Sequence, residues 1–428
     1  MPLDVPPGYR ILKEADVAAY LANVPAAAAE LGGTAADWAV REVGDGNLNF
    51  VFVVQGPRGG VVVKQALPYV RLVGESWPLS LTRSYFEQQA LIAEAKVVPQ
   101  HVPRLFHADE TLSLTVMAYL TPHVILRKGL IRGTLYPHLA DHMATFLART
   151  LFSTSDLGQP AADKKKHVAL FCANIELCKI TEDLVFTDPW LIAEANRWTS
   201  PQLDATAAAV RADSQWKRAA QELKLKFMGE AQALIHGDLH SGSIMVTERE
   251  TYAIDPEFAF YGPMGFDVGA VIGNLYLAYF AQAGHEAVSG QRDAYCEWIL
   301  STVESLWTLF DQRFRALWVN GTASDAFPST LFADSLGREA IADAQIAYMR
   351  RLFVDSLGFA GCKMTRRILG LAHVEDLESI ADPDRRSICE KRALRLARLL
   401  TVEASRFADI AAANDAARAI RRETPPSL

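Results

Sequence analysis

Two polar clusters interrupt apolar stretches in the second half of the chain. The first, LIHGDLHSGSIMV at residues 234–246, places Asp238 in a tight turn between two strand-like runs. The second, AIDPEFAFYGPMGFD, follows a short strand-like run and contains Asp255 and Glu257. Phosphoryl transfer requires one carboxylate to orient the attacking hydroxyl and others to hold Mg²⁺ against the transferred phosphate. The two clusters therefore predict that Asp238 serves the acceptor and that Asp255, with Glu257, binds the metal.

A glycine-rich segment and a strand lysine lie far upstream of these clusters. VGDGNLNF contains Gly44 and Gly46, where exposed backbone amides suit phosphate oxygens, and Lys64 ends the run VVVK. Taken singly, the glycines are better explained as a hairpin-entry turn and the lysine as a surface residue. A nucleotide-binding lysine also requires a carboxylate partner on the next helix. The helix RSYFEQQALIAEAK offers Glu87, which we prefer, and Glu94, which stays open.

The order of these parts along the chain is more specific than any one of them. Glycine-rich loop, strand lysine, helix glutamate, turn aspartate and metal aspartate follow one another as in kinase-type enzymes. One position departs from that pattern, because Ser243 stands five residues after Asp238, where kinases usually carry a metal-binding asparagine. Ser243 is kept as a predicted metal ligand beside Asp255 and Glu257, but a hydroxyl is a poorer ligand than an amide carbonyl, and we expect Glu257 to compensate. The same substitution leaves open a kinase-like scaffold that binds nucleotide without catalysis.

A β-rich unit must carry the lysine, and a helical unit must carry the acidic turns. NFVFVV and GVVVKQAL are β-rich runs joined by QGPRGG, a cluster that predicts a hairpin. Beyond residue 121 most segments repeat apolar residues at three- and four-residue intervals, as amphipathic helices do. The sequence therefore predicts an α+β protein with a small unit over residues 1–120 and a larger, mainly helical unit over residues 121–428.

Composition excludes several classes of partner. The formal net charge of −7 gives no basic footprint for nucleic acid. No apolar run reaches the roughly 18 residues of a membrane span, and MPLDVPPGYRILKEAD lacks the pattern of a secretory signal. Five cysteines at irregular spacings do not form a disulfide framework. We therefore expect a cytoplasmic protein that binds neither nucleic acid nor membrane.

Several segments together resemble the methylthioribose kinases, in the aminoglycoside/choline-kinase branch of the protein-kinase-like superfamily. The most specific are HGDLHSGSIM and DPEFAFYGPMGFD, with DPE where kinases usually have DFG. VGDGNLNFVF, VVVKQALPYVR, VGESWPL, HVILRKGLI and GCKMTRRILGLAHVEDLE extend the resemblance over nearly the whole chain. The resemblance implies a two-lobed protein-kinase-like fold and a homodimer. It also implies ATP- and Mg²⁺-dependent phosphorylation of the C1 hydroxyl of S-methyl-5-thioribose for methionine salvage.

The resemblance further implies roles for individual residues. Asp238 would be the catalytic carboxylate that binds the sugar hydroxyl, and Asp255 and Glu257 would bind Mg²⁺. Arg366 and Arg367 would reach the sugar site and offset the charge of the phosphoryl group. The residues that bind ATP would be Gly44, Asp45, Gly46, Asn47, Lys64 and Glu87, with Met117, Ala118 and Tyr119 as the hinge that hydrogen-bonds adenine.

Some side chains near this site have plainer roles open to them. The loop that carries Trp77 would close near the substrate, or Trp77 packs as an anchor for that loop. Arg366 and Arg367 would be ordinary on a solvated helix face, but apolar residues flank them on both sides. We therefore expect at least one guanidinium to pair with a carboxylate or an anion. The two histidines of the HGDLH turn, His236 and His240, are expected to support the turn through hydrogen bonds.

A different acceptor is the main alternative among kinases. An aminoglycoside or choline site would require an acidic or aromatic surface for a cation, and homoserine is a further candidate. The arginine pair favours a sugar or an anion instead.

Overall fold

The N-terminal unit is a five-stranded antiparallel sheet. The computed structural model of the chain describes residues 5–44, 48–70 and 74–423. The predicted hairpin joins the second and third strands and sets Val51 opposite Lys64. In chain order the strands of this unit are β1 (Ala39–Glu42), β2 (Asn49–Gln55), β3 (Gly60–Ala66), β4 (Tyr69–Val70), β5 (Gly74–Pro78), β6 (Leu105–Asp109) and β7 (Leu114–Ala118). The sheet runs β1-β2-β3-β7-β6, and β4 and β5 form a separate hairpin.

Strand alternation directs Lys64 to one face of this sheet. Val61 and Val63 of β3 lie in the apolar core formed with α1 (Glu14–Leu21) and α2 (Pro25–Leu31). Because neighbouring side chains of a strand point to opposite faces, Lys64 points away from that core. It meets α3 (Arg83–Ala95) on the other face of the sheet.

Helices make up most of the remaining chain, as the periodicity predicts. Their apolar faces meet in one large core. Within the described ranges no helix is long and apolar enough to cross a membrane. The helices are α4 (Leu126–Arg132), α5 (Leu139–Ser153), α6 (Ala161–Phe171), α7 (Ile175–Phe186), α8 (Asp204–Ala212), α9 (Ser214–Gly229), α10 (Gly265–His285), α11 (Asp293–Asn320), α12 (Ser335–Leu369), α13 (Glu375–Glu378), α14 (Pro383–Val402) and α15 (Ile410–Arg422).

Short strands interrupt the helices where the two polar clusters occur. One three-stranded sheet has the order β11-β10-β8, and one two-stranded sheet pairs β12 with β9. The strands are β8 (Val124–Ile125), β9 (Ala233–Ile235), β10 (Ile244–Val246), β11 (Thr251–Ala253) and β12 (Phe260–Gly262). The first polar cluster spans the turn from β9 to β10, and the second spans the turn from β11 to β12. The β-like interruptions predicted from the sequence are thus confirmed.

Small residues bring α10, α12 and α14 close together. A Cβ atom on Gly269 of α10 would overlap the carbonyl oxygen of Ser356 in α12. Gly361, on α12, lies equally close to the backbone of α14 at Ala397. Close-packed interiors resist displacement, so these contacts fix the C-terminal half of α12, which carries the arginine pair.

The predicted boundary at residue 120 falls between β7 and β8. Beyond it, β8 pairs with β10 and so belongs to the helical unit. Packing crosses the boundary, because Leu91, Val98 and Val102 join the large helical core. Residues 1–120 and 121–428 remain our proposed lobes.

Candidate active site

The turn between β9 and β10 holds Asp238 in a fixed backbone. Gly237 has φ +83°, and a Cβ there would overlap the carbonyl oxygen of Phe258, so only glycine fits. The carboxylate of Asp267, at the start of α10, accepts the N–H groups of His236 at 2.6 Å and Gly237 at 3.0 Å. The turn is therefore anchored from outside its own sequence.

His236 links the two acidic turns. Its Nδ1 atom accepts the N–H of Asp238 at 3.3 Å, and its Nε2 atom lies 2.9 Å from the carbonyl oxygen of Ile254. The proton therefore belongs on Nε2, which donates to Ile254. Burial lowers the pKa of His236, which keeps the ring neutral. These bonds confirm that His236 supports the turn, and they set Asp238 beside the segment that begins with Asp255.

Three cationic or donor groups surround the Asp238 carboxylate. The Nζ atom of Lys363 lies 3.0 Å from Oδ1, Nε2 of His240 lies 3.3 Å from Oδ2, and Nη2 of Arg367 lies 3.9 Å from Oδ1. Burial alone would raise the pKa of Asp238, but Lys363, His240 and Arg367 outweigh burial and lower the pKa well below its usual value. Asp238 is therefore ionised at neutral pH, as an acceptor of hydroxyl hydrogen bonds must be.

His240 supports Asp238 as a neutral donor. Its Nδ1 atom accepts the N–H of Gly242 at 2.9 Å, so its proton sits on Nε2 and points to Asp238. Burial lowers the pKa of His240 to about 3, so the ring carries no charge at neutral pH. The hydroxyl of Ser243 lies 3.5 Å from the same Nδ1 atom. No contact between this hydroxyl and a carboxylate is recorded within the described ranges, and its metal role stays a prediction.

Four cations, Lys363, Arg366 and Arg367 of α12 and Arg127 of α4, form a basic wall on one side of Asp238. Arg367 reaches Asp238, which confirms that at least one of the guanidinium groups of Arg366 and Arg367 is paired. Within the part of the chain that the structure describes, Nε and Nη1 of Arg366 and Nε of Arg367 are buried without hydrogen-bond partners. Buried donors without partners carry a desolvation cost, and a bound anion would remove it. The arrangement favours an acceptor site that takes a negatively charged group.

Sequence reasoning missed two cations of this wall. Lys363 precedes Arg366 and Arg367 by three and four residues, which places all three on one face of α12. That helical spacing was the available signal. Arg127 of α4 contributes from another element, since its Nη2 atom lies 3.5 Å from Nδ1 of His240, the residue that contacts Asp238. Only the fold brings Arg127 to this site.

Lys64 lies among three carboxylate groups. Its Nζ atom lies 2.9 Å from Oε1 of Glu87 and 3.9 Å from Oε2 of Glu257, and it also contacts Oδ1 of Asp255. Burial would lower the pKa of Lys64, but the three carboxylates outweigh burial and raise it. Glu94 is buried elsewhere on α3, with an unpartnered Oε2 atom among the described residues. The geometry therefore selects Glu87 over Glu94.

The three carboxylates form a group that could hold a divalent cation. One oxygen from each of Glu87, Asp255 and Glu257 lies within 4.8 Å of the others. Asn49 donates to Glu257 at 2.9 Å, which orients that carboxylate. Asp255 has φ +70°, a strained conformation for a non-glycine residue and one common at functional sites. Hard oxygen ligands beside a phosphate site suit Mg²⁺, so the residues present fit this ion.

Several predicted nucleotide contacts are not tested by this geometry. Gly44 lies in an exposed turn before β2. Asp45, Gly46 and Asn47 lie outside the described residues. In the predicted hinge, Met117 is buried in β7, while the N–H of Ala118 donates to Arg104 and the N–H of Tyr119 donates to Gly60. Adenine contacts through those two N–H groups would have to replace existing hydrogen bonds.

The predicted loop around Trp77 is corrected by the structure. Trp77 lies in β5 of a short hairpin, because GESWP pairs with Tyr69 and Val70. The indole packs, partly buried, against a cluster that includes Leu177 of α7. The packing alternative is thus supported, and contact of Trp77 with substrate stays a prediction.

Comparison with known proteins now defines the class. The model of the Phosphotransferase enzyme family matches residues 39–307, which include Lys64, Glu87, Asp238, Asp255 and Glu257. The fold is accordingly the two-lobed, protein-kinase-like one, and the protein is a kinase.

Curated relatives narrow the class to one family. The chain is 51% identical to methylthioribose kinase 1 of Oryza sativa subsp. japonica over 94% of each chain. It is 48% identical to the methylthioribose kinase of Escherichia coli O45:K1, over 94% of this chain and 96% of that protein. It is 44% identical to the enzyme of Geobacillus kaustophilus, over 85% and 87%. The chain belongs to the methylthioribose kinase family.

Proposed function

We propose that this kinase transfers the γ-phosphoryl group of ATP to the C1 hydroxyl of S-methyl-5-thioribose. The product is S-methyl-5-thioribose 1-phosphate, an intermediate of methionine salvage. One observation supports the chemistry: an ionised Asp238 contacts Lys363 and Arg367, and His236 joins its turn to the backbone of Ile254, next to Asp255. The identity to methylthioribose kinases over nearly the whole chain supports the choice of acceptor.

Asp238 acts on the acceptor hydroxyl. It accepts the hydrogen bond of the C1 hydroxyl and orients the oxygen toward the γ-phosphorus. As the new P–O bond forms and the bond to ADP breaks, the hydroxyl proton passes to Asp238. Because the pKa of Asp238 lies well below its usual value, the carboxylate is a weak base, and orientation is its larger contribution.

The basic wall and Lys64 act on the phosphoryl group. Arg366 and Arg367 have buried N–H groups that would donate to the oxygens of the transferred group as its charge is redistributed. Lys64, oriented by Glu87, would contact the nucleotide phosphates. Asp255 and Glu257 would hold Mg²⁺, which neutralises phosphate charge when bound. The carboxylates of Glu87, Asp255 and Glu257 would supply the negative charge that a divalent ion requires.

A coupled ADP-release assay with Mg·ATP tests this proposal. Methylthioribose is compared with choline, homoserine and kanamycin at matched concentrations. We expect turnover with methylthioribose alone, because the basic wall repels cationic acceptors. Turnover with another acceptor would keep the role of Asp238 and replace the substrate. ATP binding without turnover on any acceptor would instead support the non-catalytic alternative raised by Ser243.

The same proposal includes a cytoplasmic homodimer. Cys172, Cys178, Cys296, Cys362 and Cys389 are all free thiols, as a reducing compartment keeps them. The dimer is supported by the resemblance alone. Light scattering coupled to size-exclusion chromatography tests it, and a mass near 47.1 kDa would contradict it.

A further inference from the structure

Lys363 is the most deeply buried cation of the acceptor site. It lies on α12 one turn before the arginine pair, and its side chain is 2% exposed. Its Nζ atom lies 3.0 Å from Oδ1 of Asp238 and 4.2 Å from the ring centre of Phe266. The carboxylate and the aromatic face thus shield this ammonium from most solvent.

The environment of Lys363 differs from that of an ordinary structural ion pair. Asp355, on the same helix as Lys363, pairs with Lys226 of α9 at 2.6 Å, but the Lys226 side chain is 37% exposed. Burying a charge completely is costly unless its partner compensates. Among the described residues, Asp238 is the one carboxylate within ion-pair distance of Lys363. The buried charge is therefore directed to the proposed catalytic group.

We propose that Lys363 is a positioning residue that acts through Asp238, in a role that rests on the proposed kinase function. Its protonated ammonium holds Oδ1, so that Oδ2 receives the hydrogen bond and then the proton of the sugar hydroxyl. Among the described residues the neutral His240 alone contacts Oδ2, and a carboxylate oxygen has a second lone pair for the substrate. The ammonium thus sets which oxygen reacts and in which direction it points.

The charges that face Lys363 make this role dependent on pH. Asp238 favours the protonated amine, whereas burial, Arg366 and Arg367 oppose it and lower the pKa of Lys363 to about 8. His236 and Asp267 also face it, from the turn before Asp238 and from α10. As pH rises through about 8, the amine loses its proton and releases Oδ1. The rate should therefore fall on the alkaline side.

The test is a pH–rate profile of the full-length protein with saturating Mg·ATP and methylthioribose. Wild type should lose activity between about pH 7.5 and pH 9.5. K363M should lower kcat about 100-fold without changing the KM for ATP, because the hydroxyl is no longer aligned. K363R keeps its charge at high pH, so its residual activity should show no alkaline decline.

K226M is the matched control, since it breaks the ion pair between Lys226 of α9 and Asp355 of α12 without touching the acceptor site. It should lower thermal stability while keeping the wild-type profile. Three results would each overturn the proposal: a wild-type rate that stays level to about pH 9.5, a kcat of K363M within about threefold of wild type, or an alkaline decline that persists in K363M. The wild-type profile decides the proposal even if a variant fails to fold.

Failure of the proposed acceptor is a distinct result. If wild type turns over a different acceptor, the same series is run with that acceptor, because the contact between Lys363 and Asp238 does not depend on the sugar. Wild-type turnover thus reports on the function, and the change in the profile reports on Lys363.

Discussion

Individual residues at this site are defined more by their neighbours than by their chemical type. Asp238 is a partly buried carboxylate and Glu94 a buried one, and their pKa values shift in opposite directions. Cations around Asp238 lower its pKa well below the usual value, whereas burial beside Asp267 and Glu87 raises the pKa of Glu94 well above it. The surroundings of Asp238 favour its charged form, and those of Glu94 favour its protonated form.

Replacing Asp238 tests the first of these states. D238N keeps the shape but loses the charge that orients and deprotonates the hydroxyl, so kcat should fall by about 10² to 10⁴. The chain should still fold, since Lys363 can lose its proton when its partner becomes neutral. Steady-state kinetics and a thermal melt measure both effects, with D163N on exposed α6 as the control. Near-normal turnover of D238N would remove Asp238 from the mechanism.

Replacing Glu94 tests the effect of burial on its carboxyl group. Its pKa is raised in the folded state, so the protonated form contributes stability at low pH, and this contribution is lost as pH rises through the folded pKa. E94Q cannot ionise, so its melting temperature should rise relative to that of wild type as pH is raised from about 5 to about 9. A gap that stays constant over this range would contradict the prediction.

At the scale of elements, close helix packing is what places the basic wall. Lys363 and Arg367 reach Asp238 from α12, more than a hundred residues downstream, and Arg366 lies beside them on the same helix. Their position depends on glycine contacts of α12 with α10 and α14, where backbones approach without intervening side chains. Helix packing thus determines the charge of the catalytic cleft.

G269A tests this dependence. The new Cβ atom would overlap the carbonyl oxygen of Ser356 and push α12 away from α10. Overpacking of this kind costs about 1–3 kcal/mol, and displacement of the basic wall should also lower kcat. G229A is the control, because a Cβ at the end of α9 meets nothing within 4 Å. Chemical denaturation and kinetics measure the two effects; a G269A protein with unchanged stability and kcat would disprove the dependence.

At the scale of the whole molecule, the two proposed lobes meet where Lys64 contacts the carboxylates of Asp255 and Glu257. Lys64 comes from the first sheet, whereas Asp255 and Glu257 come from the turn after β11. Asn49 of β2 also donates to Glu257. A ligand that binds there contacts both lobes and should stabilise the whole fold rather than one half.

Ligand binding should therefore raise the melting temperature as a single transition. At about 100 times its Kd, Mg·ATP should add about 2.7 kcal/mol of stability. Removing the metal with EDTA should abolish most of that gain, and D255N should reduce it in the presence of Mg²⁺. Differential scanning calorimetry measures these shifts. An ATP-dependent gain that EDTA leaves intact would show that the carboxylates do not hold a metal needed for binding.

The sequence by itself determined the class of this protein and its chemistry. Asp238, Asp255 and Glu257 follow short apolar strands and Lys64 lies within one, so local patterning places the acidic residues in turns and the lysine in a strand. The kinase order of these parts was readable without coordinates, and the comparisons bear out the class. The antiparallel sheet, the later helices and the short strands between them were predicted for the same reason.

Only the tertiary structure decided which groups meet. Glu87 and Glu94 are both plausible partners on one helix, and the packing of α3 on the sheet brings Glu87 to 2.9 Å from Lys64. Trp77 was misplaced in a loop because a two-residue partner strand leaves almost no sequence signal. Lys363 and Arg127 reach the site through contacts between distant segments. Periodicity reports which face of an element is buried, but it carries no information on what lies opposite that face.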